Sequence, residues 1–148
     1  MHFRKVVCGQ ALLGLFAFFL LLTGCSQKIE PQPLPLAEAV IRKLGSLYHD
    51  FGTTQHKKPA NMEELKAWAK KLPKTRLAEL GIEDAEAIFV SPRDKEPYVL
   101  VRGGPAGPWQ VIAHEKTGMD GKRYVVTAMG SALEIEDAAF KQNMPSAR

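Results

Sequence analysis

The hydrophobic period of this chain changes once, near Gly81, and that change constrains the fold more than any other feature. Before it, Leu36, Val40, Leu44, Leu47, Tyr48 and Phe51 recur at spacings of three and four. This is one stripe of an α-helix, with Glu38, Arg42, Lys43, Ser46 and Asp50 mostly off it. Gly52 and the threonines that follow are expected to end the helix. A second, short helix is expected from Asn61. Asn61 and Glu64 have the spacing of a capping box, Met62, Leu65, Trp68, Ala69 and Leu72 form an apolar face, and Pro73 stops it. One or two further turns, Lys74 to Leu80, should close on Gly81 as a left-handed cap.

After Gly81 the period becomes strand-like. Strands are expected at Ala87–Val90, Pro97–Arg102, Trp109–Glu115 and Lys122–Met129, with a last short one at Ala132–Ile135. Gly103 to Pro108 reads as a loop, and Gly130-Ser131 as a tight turn. Asp120-Gly121 can supply the positive φ that a hairpin between the third and fourth strands needs. Glu136 to Gln142 should be helical, with Ala139 and Phe140 available for packing. Helices first and strands second predict an α+β domain. An N-terminal amphipathic helix and a short helix would pack on an antiparallel meander of three to five strands, since such a sheet needs a cover for its apolar face. The domain should span residues 36–142, with 143–148 as a tail, and there are no internal repeats.

The first residues form a different kind of segment. Arg4 and Lys5 precede an apolar run, Ala11 to Leu22, which is shorter than the roughly 20 residues of a spanning helix. A positive stretch followed by such a run is the pattern of a secretory signal. An uncleaved anchor from Val6 to Gly24 is the competing possibility on length alone. The run ends Leu22-Thr23-Gly24-Cys25: an aliphatic residue, two small residues and a cysteine. This resembles the lipobox of bacterial lipoproteins. The resemblance implies residues 1–24 as a signal peptide, cleavage between Gly24 and Cys25, and acylation of Cys25, which would hold the chain to a membrane. By resemblance to sorted lipoproteins, Ser26 after the cysteine favours the outer membrane in a cell with two. Residues 25–35 then form a lipidated, proline-rich tether. Pro31, Pro33 and Pro35 favour polyproline II, and ten such residues reach roughly 30 Å.

Cysteine and charge narrow the class further. Cys8 lies in the leader, so a mature chain would keep only Cys25 and could form no internal disulfide. The formal net charge is +4, and Arg4 and Lys5 leave with the leader. The mature domain is nearly neutral, which argues against nucleic acid as a partner. At 45% hydrophobic and 24% charged residues, whole-chain disorder is excluded.

Motifs for chemistry are sparse. His2 sits in the leader. His49 and His56 share a helical face only if the helix runs past Gly52. No HExxH or CxxC is present, so no metal site is expected. Ser91, Ser131 and His114 are the candidates for nucleophilic work, but none lies in a G-x-S-x-G setting. Ser131 is accounted for by its turn, and His114 should be a polar strand residue, partly exposed near a strand end with Glu115 beside it. Gly103–Gly107 lacks the Lys-Ser/Thr of a phosphate loop. Asp120 alone offers too few oxygens for calcium. No catalytic residue and no cofactor are expected.

Three segments carry a second resemblance: Val111-Ile112-Ala113-His114-Glu115, Arg123 to Ala132, and Glu136-Asp137-Ala138-Ala139-Phe140. Their order resembles the C-terminal part of type IV pilin and type II secretion pseudopilin heads and of related small envelope proteins. It implies a pilin-head-like fold in an envelope setting. The lipobox stands where pilins carry a prepilin cleavage site, and Met129 replaces a turn aspartate, so assembly into a fibre is not implied. The expected function is a membrane-anchored bacterial lipoprotein, non-enzymatic, that binds or scaffolds an envelope protein partner. The alternative is a small envelope hydrolase or ligand-binding lipoprotein.

Overall fold

The structure is a computed structural model that describes residues 34–102 and 107–144. The leader, the Gly24–Cys25 site and nearly all of the tether lie outside the described residues. Helix α1 spans Leu36–Gln55, α2 Met62–Ala69 and α3 Lys74–Glu79, followed by a 3₁₀ turn at Ala87–Phe89. Strands β1 (Val99–Leu100), β2 (Val111–His114), β3 (Lys122–Thr127) and β4 (Ala132–Glu136) precede α4 (Asp137–Asn143). The four strands form one antiparallel sheet in the order β1-β2-β3-β4, a plain meander. The domain is α+β, as expected. Among the described residues, no helix is long and apolar enough to cross a membrane.

Helix α1 supplies the core. Ile41, Leu44, Leu47 and Phe51 are buried, together with Ala37. The buried stripe is rotated from the expected one: Leu36 is 68% exposed, Ile41 replaces it, and Asp50 is buried in an ion pair with Arg76. Helix α1 also runs through Gly52 to Gln55 and stops at His56, which takes the left-handed conformation. Phe51 packs edge-on against Trp68 of α2, with ring centres 5.3 Å apart.

The local signals at α2 and α3 act through identifiable bonds. Asn61 Oδ1 accepts the Glu64 amide at 2.8 Å, while the Glu64 carboxylate reaches the Ala60 amide, one residue beyond a standard capping box. At the end of α3 the Ile82 amide donates to Leu77 O and the Gly81 amide to Ala78 O, the Schellman pattern, with Gly81 at φ 68°.

Two expected strands differ. Ala87–Phe89 is a 3₁₀ turn because Asp84 Oδ1 accepts the Glu86 and Ala87 amides, and both Ile88 and Phe89 turn into the core. The expected strand Pro97–Arg102 contracts to Val99–Leu100, since the Tyr98 amide is engaged by Phe89 O instead.

The sheet is covered on both faces. Tyr124, Val126 and Ala132 belong to the core that α1 fills. On the opposite face the register aligns His114 and Leu133 with Val125, and Arg123 with Ile135. There Phe140 of α4 lies against His114 and Arg123.

Two glycines within α1 should respond oppositely to the same substitution. A Cβ on Gly45 would stand 2.6 Å from Val126 Cγ2, whereas one on Gly52 meets nothing closer than Lys57 O at 4.0 Å. Gly45 therefore sets the approach of α1 to β3. Gly45→Ala should cost about 1–3 kcal/mol through overpacking, while Gly52→Ala should stabilise by up to about 1 kcal/mol through helix propensity. Urea melts of the two variants read the signs directly.

Candidate functional site

The densest set of polar side chains lies where the turn Ser91–Glu96 meets the β2–β3 hairpin. The turn closes on itself: the Ser91 amide donates to Glu96 O and the Lys95 amide to Ser91 O, both at 3.0 Å. The Ser91 hydroxyl accepts the amides of Arg93 and Asp94 and donates to Glu115 Oε1 at 2.7 Å. Glu115 has no solvent exposure. Its Oε2 accepts Arg93 Nη2 at 2.7 Å and the Tyr124 amide at 2.8 Å. Arg93 also pairs with Glu134, donates to Lys122 O, and lies 4.6 Å over the Tyr124 ring.

The hairpin itself explains why these partners are needed. Asp120 and Gly121 supply the expected positive φ, at 53° and 73°, and form a two-residue turn between Met119 and Lys122, tighter than the expected connection from Lys116 to Gly121. Behind it Lys116, Thr117 and Gly118 bulge out opposite Arg123, so their backbone groups have no strand partner. Asp94 Oδ2 accepts the Thr117 and Gly118 amides at 3.0 and 2.8 Å. Arg123 donates to the carbonyls of Glu115, Lys116 and Thr117. Burial acts to raise the Asp94 pKa, but the amides of Gly118, Glu96 and Thr117 outweigh it and hold the carboxyl below its ordinary value. Gly118 admits no side chain, because a Cβ there would lie 2.2 Å from Lys122 O.

Arg123 passes the network to α4. Its Nε donates to Asp137 Oδ1 at 2.6 Å, and its guanidinium lies 4.3 Å over Phe140. The hydrogen bond from Arg123 lowers the Asp137 pKa. His114 donates from Nδ1 to Glu115 O at 2.6 Å, and its ring lies 4.6 Å from that of Phe140. Burial lowers the His114 pKa, with the Arg123 cation adding to the effect.

These positions correct the expectation for His114, which is buried rather than partly exposed, as is Glu115 beside it. Phe140 covers the imidazole from the α4 side. The Ser91 proton goes to Glu115, not to His114, and Ser91 is itself fully buried. A serine sealed from solvent, bonded to a carboxylate already shared with a guanidinium, holds a turn in place. Ser131 lies in the β3–β4 turn, its carbonyl accepting the Thr127 amide. His49 is exposed beside Tyr48, and His56 caps α1 beyond its last turn. Among the described residues, no group of three or more His, Cys, Asp or Glu side chains converges as a metal site. Arg93, Asp94, Glu115 and Arg123 were not singled out from the sequence. The signal there was the Ser-Pro-Arg-Asp turn and its spacing from two strands that each carry a charge.

A second feature is a cleft between the C-terminal half of α1, the Lys57–Ala60 loop and the open end of the sheet. It consists of two adjoining hollows of about 370 and 270 Å³ that share Tyr48, Lys58, Gln110 and Ile112. Compared with protein-family models, with curated proteins and with solved structures, the chain has no match in any of the three.

Two outcomes follow from the polar cluster. Glu115→Ala leaves Arg93 and the Tyr124 amide without a buried partner and should cost about 3–5 kcal/mol, against under about 0.5 kcal/mol for the exposed neighbour in Lys116→Ala. Equal urea midpoints for the two would contradict the assignment. With the folded-state pKa of His114 lowered, the unfolded chain takes up the proton first as pH falls. The fold should therefore lose stability as pH drops through about 6.5, with no such loss above it. Comparing melts between pH 8 and 5.5, His114→Asn should flatten that slope.

Proposed function

We propose that this chain is a lipid-anchored, non-catalytic interaction domain of a bacterial cell envelope. The observation that carries the proposal is Leu22-Thr23-Gly24-Cys25 at the end of a charged and then apolar leader. Acylation of Cys25 would hold the protein on the bilayer. Each acyl chain contributes about 0.8 kcal/mol per buried CH₂, and more than one chain suffices for stable anchoring. Ser26 favours the outer membrane where two membranes exist.

The arrangement of the domain is consistent with this. Helix α1 opens at Leu36, directly after the last proline of the Pro31–Pro35 stretch. The domain's largest buried polar cluster is used up internally: Ser91, Arg93, Glu115 and Arg123 bond one another, the sheet backbone and α4. The groups suited to acid, base or nucleophile roles are thereby committed to holding the fold. What the domain offers outward is surface, and the proposed role is to bind or position an envelope protein near the membrane.

Mass spectrometry of the N-terminus of the membrane-extracted protein tests the anchor. A chain starting at acylated Cys25 is the expected result. A chain that keeps Met1 through Gly24, or begins at an unmodified residue, would overturn it.

A further inference from the structure

The aspartates of this chain stand in unequal chemical positions. Asp50 is paired with Arg76, and Asp137 with Arg123. Asp84 accepts the Glu86 and Ala87 amides, and Asp94 accepts those of Glu96, Thr117 and Gly118. Each of these carboxylates is held in place, and each is followed by a residue with a side chain: Phe51, Ala138, Ala85 and Lys95. Asp120 differs on both counts. It is exposed at the tip of the β2–β3 hairpin, and its carboxylate has no bonded partner among the described residues. The next residue is Gly121.

The backbone beside that carboxylate is equally open. Among the described residues the Gly121 amide has no acceptor, and a Cβ built on Gly121 would meet nothing within 4 Å. A main-chain nitrogen with no side chain to shield it therefore adjoins a free carboxyl group. The turn is closed by the paired bonds between Met119 and Lys122, at 2.8 and 3.0 Å. Its tip can open locally while the ladder behind it stays formed.

We propose that Asp120-Gly121 is a site of spontaneous covalent modification, at which Asp120 converts to isoaspartate through a cyclic imide. The Gly121 nitrogen attacks Cγ of the protonated Asp120 carboxyl and loses its proton, and one carboxyl oxygen departs as water. Water from solvent then adds to either imide carbonyl. Opening at the main-chain carbonyl routes the backbone through the former side chain and lengthens it by one methylene, with no net change in atoms.

The change reaches beyond the turn. Gly121 O accepts the Asp137 amide at 2.8 Å, where α4 begins. Asp137 in turn bonds Arg123 Nε, whose guanidinium lies over Phe140. A backbone longer by one methylene displaces the Gly121 carbonyl and loosens the seat of α4. The reaction needs only water, so the loosened form accumulates with the age of the molecule.

The test ages the full-length protein in detergent micelles for days in warm neutral buffer. Trypsin cleavage after Lys116 and Lys122 releases Thr117–Lys122, and electron-transfer fragmentation separates isoaspartate from aspartate at equal mass. A second form of this peptide should grow with time, while the peptides that carry Asp50, Asp84, Asp94 and Asp137 stay single. Asp120→Gly keeps residues that accept positive φ and should lose the second form entirely. Asp120→Asn reaches the same imide by expelling ammonia and should convert sooner. Hydrogen exchange over Asp137–Asn143 should be faster in the aged protein, and unchanged in aged Asp120→Gly. Conversion in urea but not in the folded protein, or equal conversion at the other aspartates, would overturn the proposal. Isoaspartate at Asp120 with unaltered exchange in α4 would overturn the link to that helix.

Discussion

A carboxylate without access to water is stable only where donors replace that water, and the junction of the Ser91–Glu96 turn with the β2–β3 hairpin is organised around meeting that requirement at Glu115. Three donors converge on it: the Ser91 hydroxyl, the Arg93 guanidinium and the Tyr124 amide. Two come from the Ser91–Glu96 turn and one from β3, so satisfying one buried charge fixes that turn on the β2–β3 hairpin. The same turn then places Asp94 under the bulge amides. Removing any one donor leaves the others facing an incomplete shell, which makes the cluster cooperative rather than a sum of pairs.

Two oppositely charged side chains hold the bulge from its two polar sides. Asp94 takes the amides of Thr117 and Gly118, and Arg123 takes the carbonyls of Glu115, Lys116 and Thr117. The backbone that the bulge removes from the ladder is thus bonded by side chains instead. Arg123 is in turn neutralised and covered by Asp137 and Phe140, which is why a helix as short as α4 has a defined seat.

Most of the architecture was legible in the sequence because it rests on local signals: the stripe of α1, the Asn61 cap, the Gly81 terminator and the Asp120-Gly121 turn. What was missed rests on tertiary partners. Gly52 looked like a stop, yet α1 continues, since a glycine costs only about 1 kcal/mol and the burial of Phe51 outweighs it. Ala87–Val90 was read as a strand because a short apolar run does not distinguish a strand from a buried turn. His114 and Glu115 were expected to face water because both are polar and near a strand end. Alternation says which residues share a face, but not that α4 and the Ser91 turn will cover them. The cleft was equally invisible, as Tyr48 and Ile112 come together only through the packing of α1 on the sheet.

The close contact of Gly45 with Val126 also has a meaning in time. The two residues come from opposite ends of the domain, so the contact forms only after a long loop has closed. The β3–β4 hairpin, by contrast, joins neighbours in sequence across the turn at Gly130. Local pairings of that kind form early, while contacts of large sequence separation slow the approach to the native state. Helix α1 is therefore among the last of the described elements to find its place. Until it does, the apolar face of the meander stands open, and that interval is when the domain is most exposed to misassociation.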